Sequence, residues 1–127
     1  MSKLTYIVIG ICALGFIGLG IWFGVQKKQP TIYDEFATCL KDSGTKFFGT
    51  FWCPHCRNQK ALFGKSMKLL PYIECSTANG QGTLQICKDA NITGYPTWEF
   101  PDGSRLSGEI PLETLAEKTS CLLPEKQ

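Results

Sequence analysis

The apolar positions along the chain change their period at Pro30. Before it, Tyr6 to Val25 is an unbroken run of 20 residues without a charge, carrying Ile7, Val8, Ile9, Ile11, Leu14, Phe16, Ile17, Leu19, Ile21, Trp22 and Phe23. A helix of that length crosses a hydrocarbon core of roughly 30 Å, whereas the apolar part of a cleaved signal is about 7 to 15 residues. No small-x-small cleavage pattern follows, so the run is expected to remain as one N-terminal transmembrane helix, with residues 1–29 as anchor and flanks. Residues 30–127 are the expected soluble domain, which is the usual size of one compact unit.

Within that domain the periods alternate. Phe36, Ala37 and Leu40 share a helical face that Thr31 or Asp34 can cap, and Ser43-Gly44 stops the helix after Lys41. Lys46 to Phe51 reads as a buried strand. Pro54 then opens a helix at the position where a missing N–H costs nothing, and Ala61, Leu62, Phe63, Met67, Leu69 and Leu70 carry its apolar face up to Pro71. Tyr72 to Cys75 is a short strand, and Asn79 to Gly82 a turn before a helical piece from Thr83 to Ala90. Pro96 to Phe100 and Arg105 to Ser107 form a hairpin about Asp102-Gly103, and Pro111 to Leu122 closes the domain as a helix. Helices interleaved with strands in this order imply an α/β fold, a small mixed sheet with helices on both faces.

Charge excludes one class of partner. With Lys3, Lys27 and Lys28 set aside as membrane flanks, ten of the 13 basic residues face all 11 acidic ones, so the domain is close to neutral and carries no footprint for nucleic acid. Charge does not orient the anchor, because lysines sit on both flanks. The seven cysteines do: Cys12 falls in the apolar run and six in the domain, a density typical of oxidising compartments. The domain is therefore expected on the extracytoplasmic side of the membrane.

Two of those cysteines have a spacing with chemical meaning. Cys53, Pro54, His55 and Cys56 follow a strand and open a helix. Residues at i and i+3 on a first helical turn face the same way and can close and reopen a small disulfide. The helix N-terminus favours negative charge on the first sulfur, and His55 can add positive charge or a hydrogen bond. Cys53 is the expected attacking thiolate and leaving group, and Cys56 the resolving thiol. A zinc site needs about four ligands, and the chain has one histidine and no second C-x-x-C, so no metal or other cofactor is expected. Trp52 would lie on the rim, Trp98 and Phe100 in the core or flanking the groove, and Lys60, Lys65 and Lys68 on a solvated face. Gly94-Tyr95-Pro96-Thr97 opens a later strand, a place where an X-Pro bond can be kept cis.

A C-x-x-C helix followed by such a proline loop resembles the thioredoxin superfamily. The resemblance implies a thioredoxin-like fold in which Tyr95, Pro96 and Thr97 face the redox pair and bind an extended substrate segment. Phe51 to Cys56, Gln59 to Gly64, Tyr72 to Ser76, Cys87-Lys88 and Ile92 to Trp98 are similar, more narrowly, to the thioredoxin-like domain fused to bacterial and plant vitamin K epoxide reductase homologues. In those fusions the domain passes disulfides between a quinone-linked membrane enzyme and secreted proteins. Here one anchor stands where the four-helix reductase would be, so the membrane redox partner would be a separate protein. With Cys53 and Cys56 reserved, the other four cysteines have three pairings, of which Cys75–Cys87 with Cys39–Cys121 is preferred; buried free thiols are the alternative.

The expectation is thus a membrane-anchored thiol-disulfide oxidoreductase acting on cysteines of exported proteins. A reductase or isomerase is the alternative within that class. A metallochaperone holding Cu(I) on Cys53, Cys56 and His55, or a docking module without turnover, would be alternatives outside it.

Overall fold

The computed structural model describes residues 31–125, and the expected anchor, with Cys12, lies outside the described residues. Among the described residues no helix is long and apolar enough to cross a membrane. In chain order the elements are α1 (Asp34–Asp42), β1 (Lys46–Gly49), α2 (Pro54–Ala61), a 3-10 helix (Gly64–Leu69), β2 (Tyr72–Glu74), α3 (Gln85–Asp89), β3 (Thr97–Glu99), β4 (Arg105–Ser107) and α4 (Leu112–Thr119). The sheet order is β2-β1-β3-β4. β1 runs parallel to β2 and antiparallel to β3, which is antiparallel to β4.

β1 is central, and its side chains alternate between two cores. Phe47 packs with Phe36, Leu40, Phe63, Trp98, Leu112 and Leu115 under α1 and α4. Phe48 turns to the other face, with the Cys75 and Cys87 side chains and Ile73, Ala90, Ile92 and Tyr95. Register puts Tyr72, Phe47, Trp98 and Leu106 in one row across the sheet. In that row the Phe47 and Trp98 rings stack at 4.4 Å, and Tyr72 meets Phe47 edge-on at 5.2 Å, pairs worth about 0.5–1.5 kcal/mol each beyond their burial.

Several boundaries differ from the sequence reading. The helix expected from Pro54 through Leu70 is two pieces, because Gly64 takes φ +54 and the chain resumes as a 3-10 helix. Strand β1 ends at Gly49 rather than Phe51, since the chain turns there and the Cys53 N–H donates to the Thr50 carbonyl at 3.2 Å. Tyr33 holds the N-cap position of α1 without a side-chain cap. Asp34 is the first helical residue, and its carboxylate reaches back to the Thr31 N–H at 3.0 Å and hydroxyl at 2.7 Å. α4 stops at Thr119 because Ser120 is left-handed at φ 57.

Two disulfides fasten these layers. Cys39 on α1 joins Cys121 beyond α4, with Cα atoms 5.9 Å apart across 82 residues. Cys75 joins Cys87 on α3, with Cα atoms 5.6 Å apart across 12 residues.

Candidate active site

Cys53 sits at the N-cap of α2 with extended backbone, φ −74 and ψ 122, and Pro54 occupies the first turn. Extended backbone at the cap is what a strand-to-helix turn requires, and proline at that turn sacrifices no helical hydrogen bond. Cys53 and Cys56 are both free thiols and both buried, Cys53 at 6% exposure and Cys56 at none. The Cys53 thiol donates to the Tyr95 carbonyl at 3.7 Å. That contact joins two segments 42 residues apart, and the Tyr95–Pro96 peptide beside it is cis.

Cys56 lies one turn deeper, against Gly49. A methyl group on Gly49 would stand 2.9 Å from Cys56 Sγ and 2.8 Å from Tyr72 Cε2, so the sulfur occupies space that only a glycine leaves open. Burial pushes the Cys56 thiol up to about 12, Cys53 adds to the rise, and the Thr50 backbone and Lys60 oppose it. Its surroundings are polar on one side. The Tyr72 hydroxyl donates to Glu74 Oε2 at 2.9 Å, and Lys60 Nζ stands 3.2 Å from the centre of the Tyr72 ring. Burial raises the Tyr72 pKa, with the Glu74 hydrogen bond adding to it, and burial lowers that of Lys60. Glu74 Oε1 in turn accepts from the Phe51 and Ser76 N–H groups at 3.3 and 2.8 Å, holding the turn before Cys53 to the end of β2. Lys60 is therefore no part of a solvated face; Lys65 and Lys68 are exposed.

His55 is paired with Glu109. Its side chain is 67% exposed, and Nδ1 lies 2.7 Å from Glu109 Oε1, which also accepts from Asn58 Nδ2 at 3.0 Å. Those hydrogen bonds hold the Glu109 carboxyl below its ordinary range. Beneath them, the wholly buried Gln59 donates to the Ile110 carbonyl at 3.0 Å and accepts the Ile110 N–H at 2.6 Å. Helix α2 is thus clamped to the segment that leads into α4.

Of the expected substrate-facing residues, Trp52 and Tyr95 reach the surface, and Pro96 and Thr97 do not. Trp52 is 48% exposed, donates from Nε1 to Ser76 Oγ at 3.0 Å and meets Tyr95 edge-on at 6.3 Å. Thr97 turns its hydroxyl inward to the Gly94 carbonyl at 2.9 Å. Thr50 Oγ1 is buried beside the site without a hydrogen bond. Among the described residues no group of three or more His, Cys, Asp or Glu could hold a metal ion.

No protein-family model matches the chain. Over 90 residues it is 44% identical to the thiol-disulfide oxidoreductase LTO1 of Arabidopsis thaliana. That likeness and the mixed four-stranded sheet fit a thioredoxin-like superfamily. The alignment covers 68% of this chain and 24% of LTO1, so the chain spans about a quarter of that relative's length. Gly49, Tyr72, Glu74, Gln59 and Glu109 were not singled out by the sequence as parts of the site. Gly49 alone carried a local signal, since glycine inside a strand marks a close approach.

Proposed function

We propose that this chain is a thiol-disulfide oxidoreductase of the thioredoxin-like kind, tethered to a membrane by residues 6–25 with its domain on the extracytoplasmic side. The observation that carries the reading is the pairing of an enclosed Cys56 with a Cys53 that lies between the exposed Trp52 and the Tyr95 carbonyl. The relative's name supports the class of reaction. In the oxidising direction a substrate thiolate attacks Cys53 Sγ of the Cys53–Cys56 disulfide. The Cys53–Cys56 bond breaks, and its electron pair leaves on Cys56, which takes up a proton. A second substrate thiolate then attacks the substrate sulfur of the mixed disulfide and expels Cys53. The substrate, an exported protein, has lost two electrons and the enzyme has gained them. A quinone-linked membrane protein, such as a vitamin K epoxide reductase homologue, accepts them and restores the Cys53–Cys56 disulfide.

The Tyr95 N–H, which makes no hydrogen bond among the described residues, supports the docking of an extended substrate segment beside Cys53. Two variants test the assignment. Cys53→Ser should lose both oxidation of dithiol peptides and reduction of disulfides, while Cys56→Ala should accumulate mixed disulfides on Cys53 in its own cells. Full activity in Cys53→Ser would overturn it.

A further inference from the structure

Charge is divided unevenly over the domain. Between residues 43 and 73 the chain carries Lys46, Arg57, Lys60, Lys65 and Lys68 and no acidic side chain, whereas the other described residues hold all 11 acidic ones. Lys46 is paired with Glu99, and Lys60 is held over Tyr72. The side chains of Arg57, Lys65 and Lys68 make no ion pair or hydrogen bond among the described residues. Lys65 and Lys68, three apart on the 3-10 helix, lie on one side of it. Exposed apolar side chains are interleaved with them: Leu62 at 45%, Met67 at 43% and Leu69 at 39%.

The position of this patch bears on what covers it. The polypeptide enters the described domain at Thr31, and the Thr31 hydroxyl is hydrogen-bonded to Ser66 in the middle of the same 3-10 helix. Ser66 also donates to Asp34 at 2.6 Å, which fixes the start of α1 to that helix. Ile32, the next residue, is 62% exposed. An apolar surface interleaved with unpaired cations therefore lies where the segment following residues 6–25 joins the domain. Asp34 also lines an open depression on α1 with Glu35, Thr38, Cys39 and Asp42.

We propose that Leu62, Lys65, Met67, Lys68 and Leu69, with Ile32, form a face that rests on the anionic surface of the membrane into which the chain is anchored. The inference rests on the membrane-tether reading above. Apolar side chains enter the headgroup boundary while the ammonium groups meet lipid phosphates, the arrangement that holds interfacial segments on a bilayer. Docking this face sets the height and tilt of the domain, and so the side from which Cys53 is presented to a membrane redox partner.

The test uses the full chain in vesicles of phosphatidylcholine alone and of phosphatidylcholine with phosphatidylglycerol. Hydrogen exchange over residues 62–70 should slow in the anionic vesicles relative to the neutral ones, with residues 85–89 of α3 as an internal reference that does not change. The double variant Lys65→Gln, Lys68→Gln should weaken docking about 30-fold, from roughly fivefold for each basic residue near an anionic surface. It should thereby return the exchange to the neutral-vesicle rate. Equal exchange in both vesicles, or protection that survives the double variant, would overturn the proposal and leave the patch to an acidic protein. Failure of the tether reads differently, because the chain would then be washed off the vesicles at alkaline pH.

Discussion

Replacing Gly49 with alanine probes the packing that separates the two thiols. The added methyl would lie 2.8 Å from Tyr72 Cε2 and 2.9 Å from Cys56 Sγ, where carbon contacts are ordinarily about 3.5–4.0 Å. Neither neighbour is a loose end. The Tyr72 ring is held at its hydroxyl by Glu74 and on its face by Lys60, and Cys56 is wholly buried. Overpacking of this kind costs about 1–3 kcal/mol, and the loss of glycine freedom in the unfolded chain returns about 0.4–1 kcal/mol. A net loss of about 1–2 kcal/mol lowers Tm by about 4–16 °C in a domain of this size. Thermal unfolding of the reduced protein, followed by circular dichroism, reads it directly. Gly94→Ala is the control: an added methyl there meets nothing within 4 Å and the backbone is not left-handed. The reasoning fails if Gly49→Ala melts at or above the parent while Gly94→Ala is neutral.

Three other outcomes follow from the same contacts. Gln59→Leu removes both partners of the buried Ile110 backbone, so urea unfolding should show a loss of about 2–4 kcal/mol; a loss below about 0.5 kcal/mol would mean that the segment before α4 finds other partners. Removing the Cys39–Cys121 bridge as a double alanine variant frees a loop of 82 residues and removing Cys75–Cys87 one of 12, which the loop model sets at about 4.5 and 2.8 kcal/mol; the reverse order would refute chain entropy as the main term. Because burial lifts Cys56 from 9.0 to about 12, the folded reduced protein holds that proton more tightly than the unfolded chain, so its stability is fully present below pH 9 and falls as pH rises through 12, by at most about 4 kcal/mol. The disulfide form has no thiol there to titrate, and a reduced-minus-oxidised stability difference that stays flat from pH 8 to 11 would contradict this.

How much of this was legible beforehand depended on sequence distance. The cysteine pair could be read because residues at i and i+3 share a face whatever surrounds them. The split at Gly64 could not, because residues three apart turn inward together in both an α-helix and a 3-10 helix, and Phe63 and Ser66 satisfy either. Capping at Thr31 and Asp34 was visible as a pair of residue types, but not which of them would lie inside the helix. His55 was read as a neighbour of the sulfur, since its position in the tetrapeptide is close; its actual partner, Glu109, is 54 residues away and left no local trace. The Gln59 clamp spans 51 residues and was silent for the same reason.

Packing against Gly49 and Tyr72 sharpens the difference between the two cysteines, to which the tetrapeptide already gives unequal roles. A thiol at about 12 is ionised at roughly one part in 100,000 at pH 7, and Cys56 is also closed off from solvent by its place against Gly49 and Tyr72. Cys56 is therefore the less accessible of the two thiols to a dissolved substrate. Cys53 lies at the N-cap beside the exposed Trp52, and its thiol donates to the Tyr95 carbonyl. In the proposed reaction the order of attack then follows burial: exchange with partners belongs to Cys53, and Cys56 acts within the protein, where closing the disulfide removes a thiol whose ionisation the fold opposes.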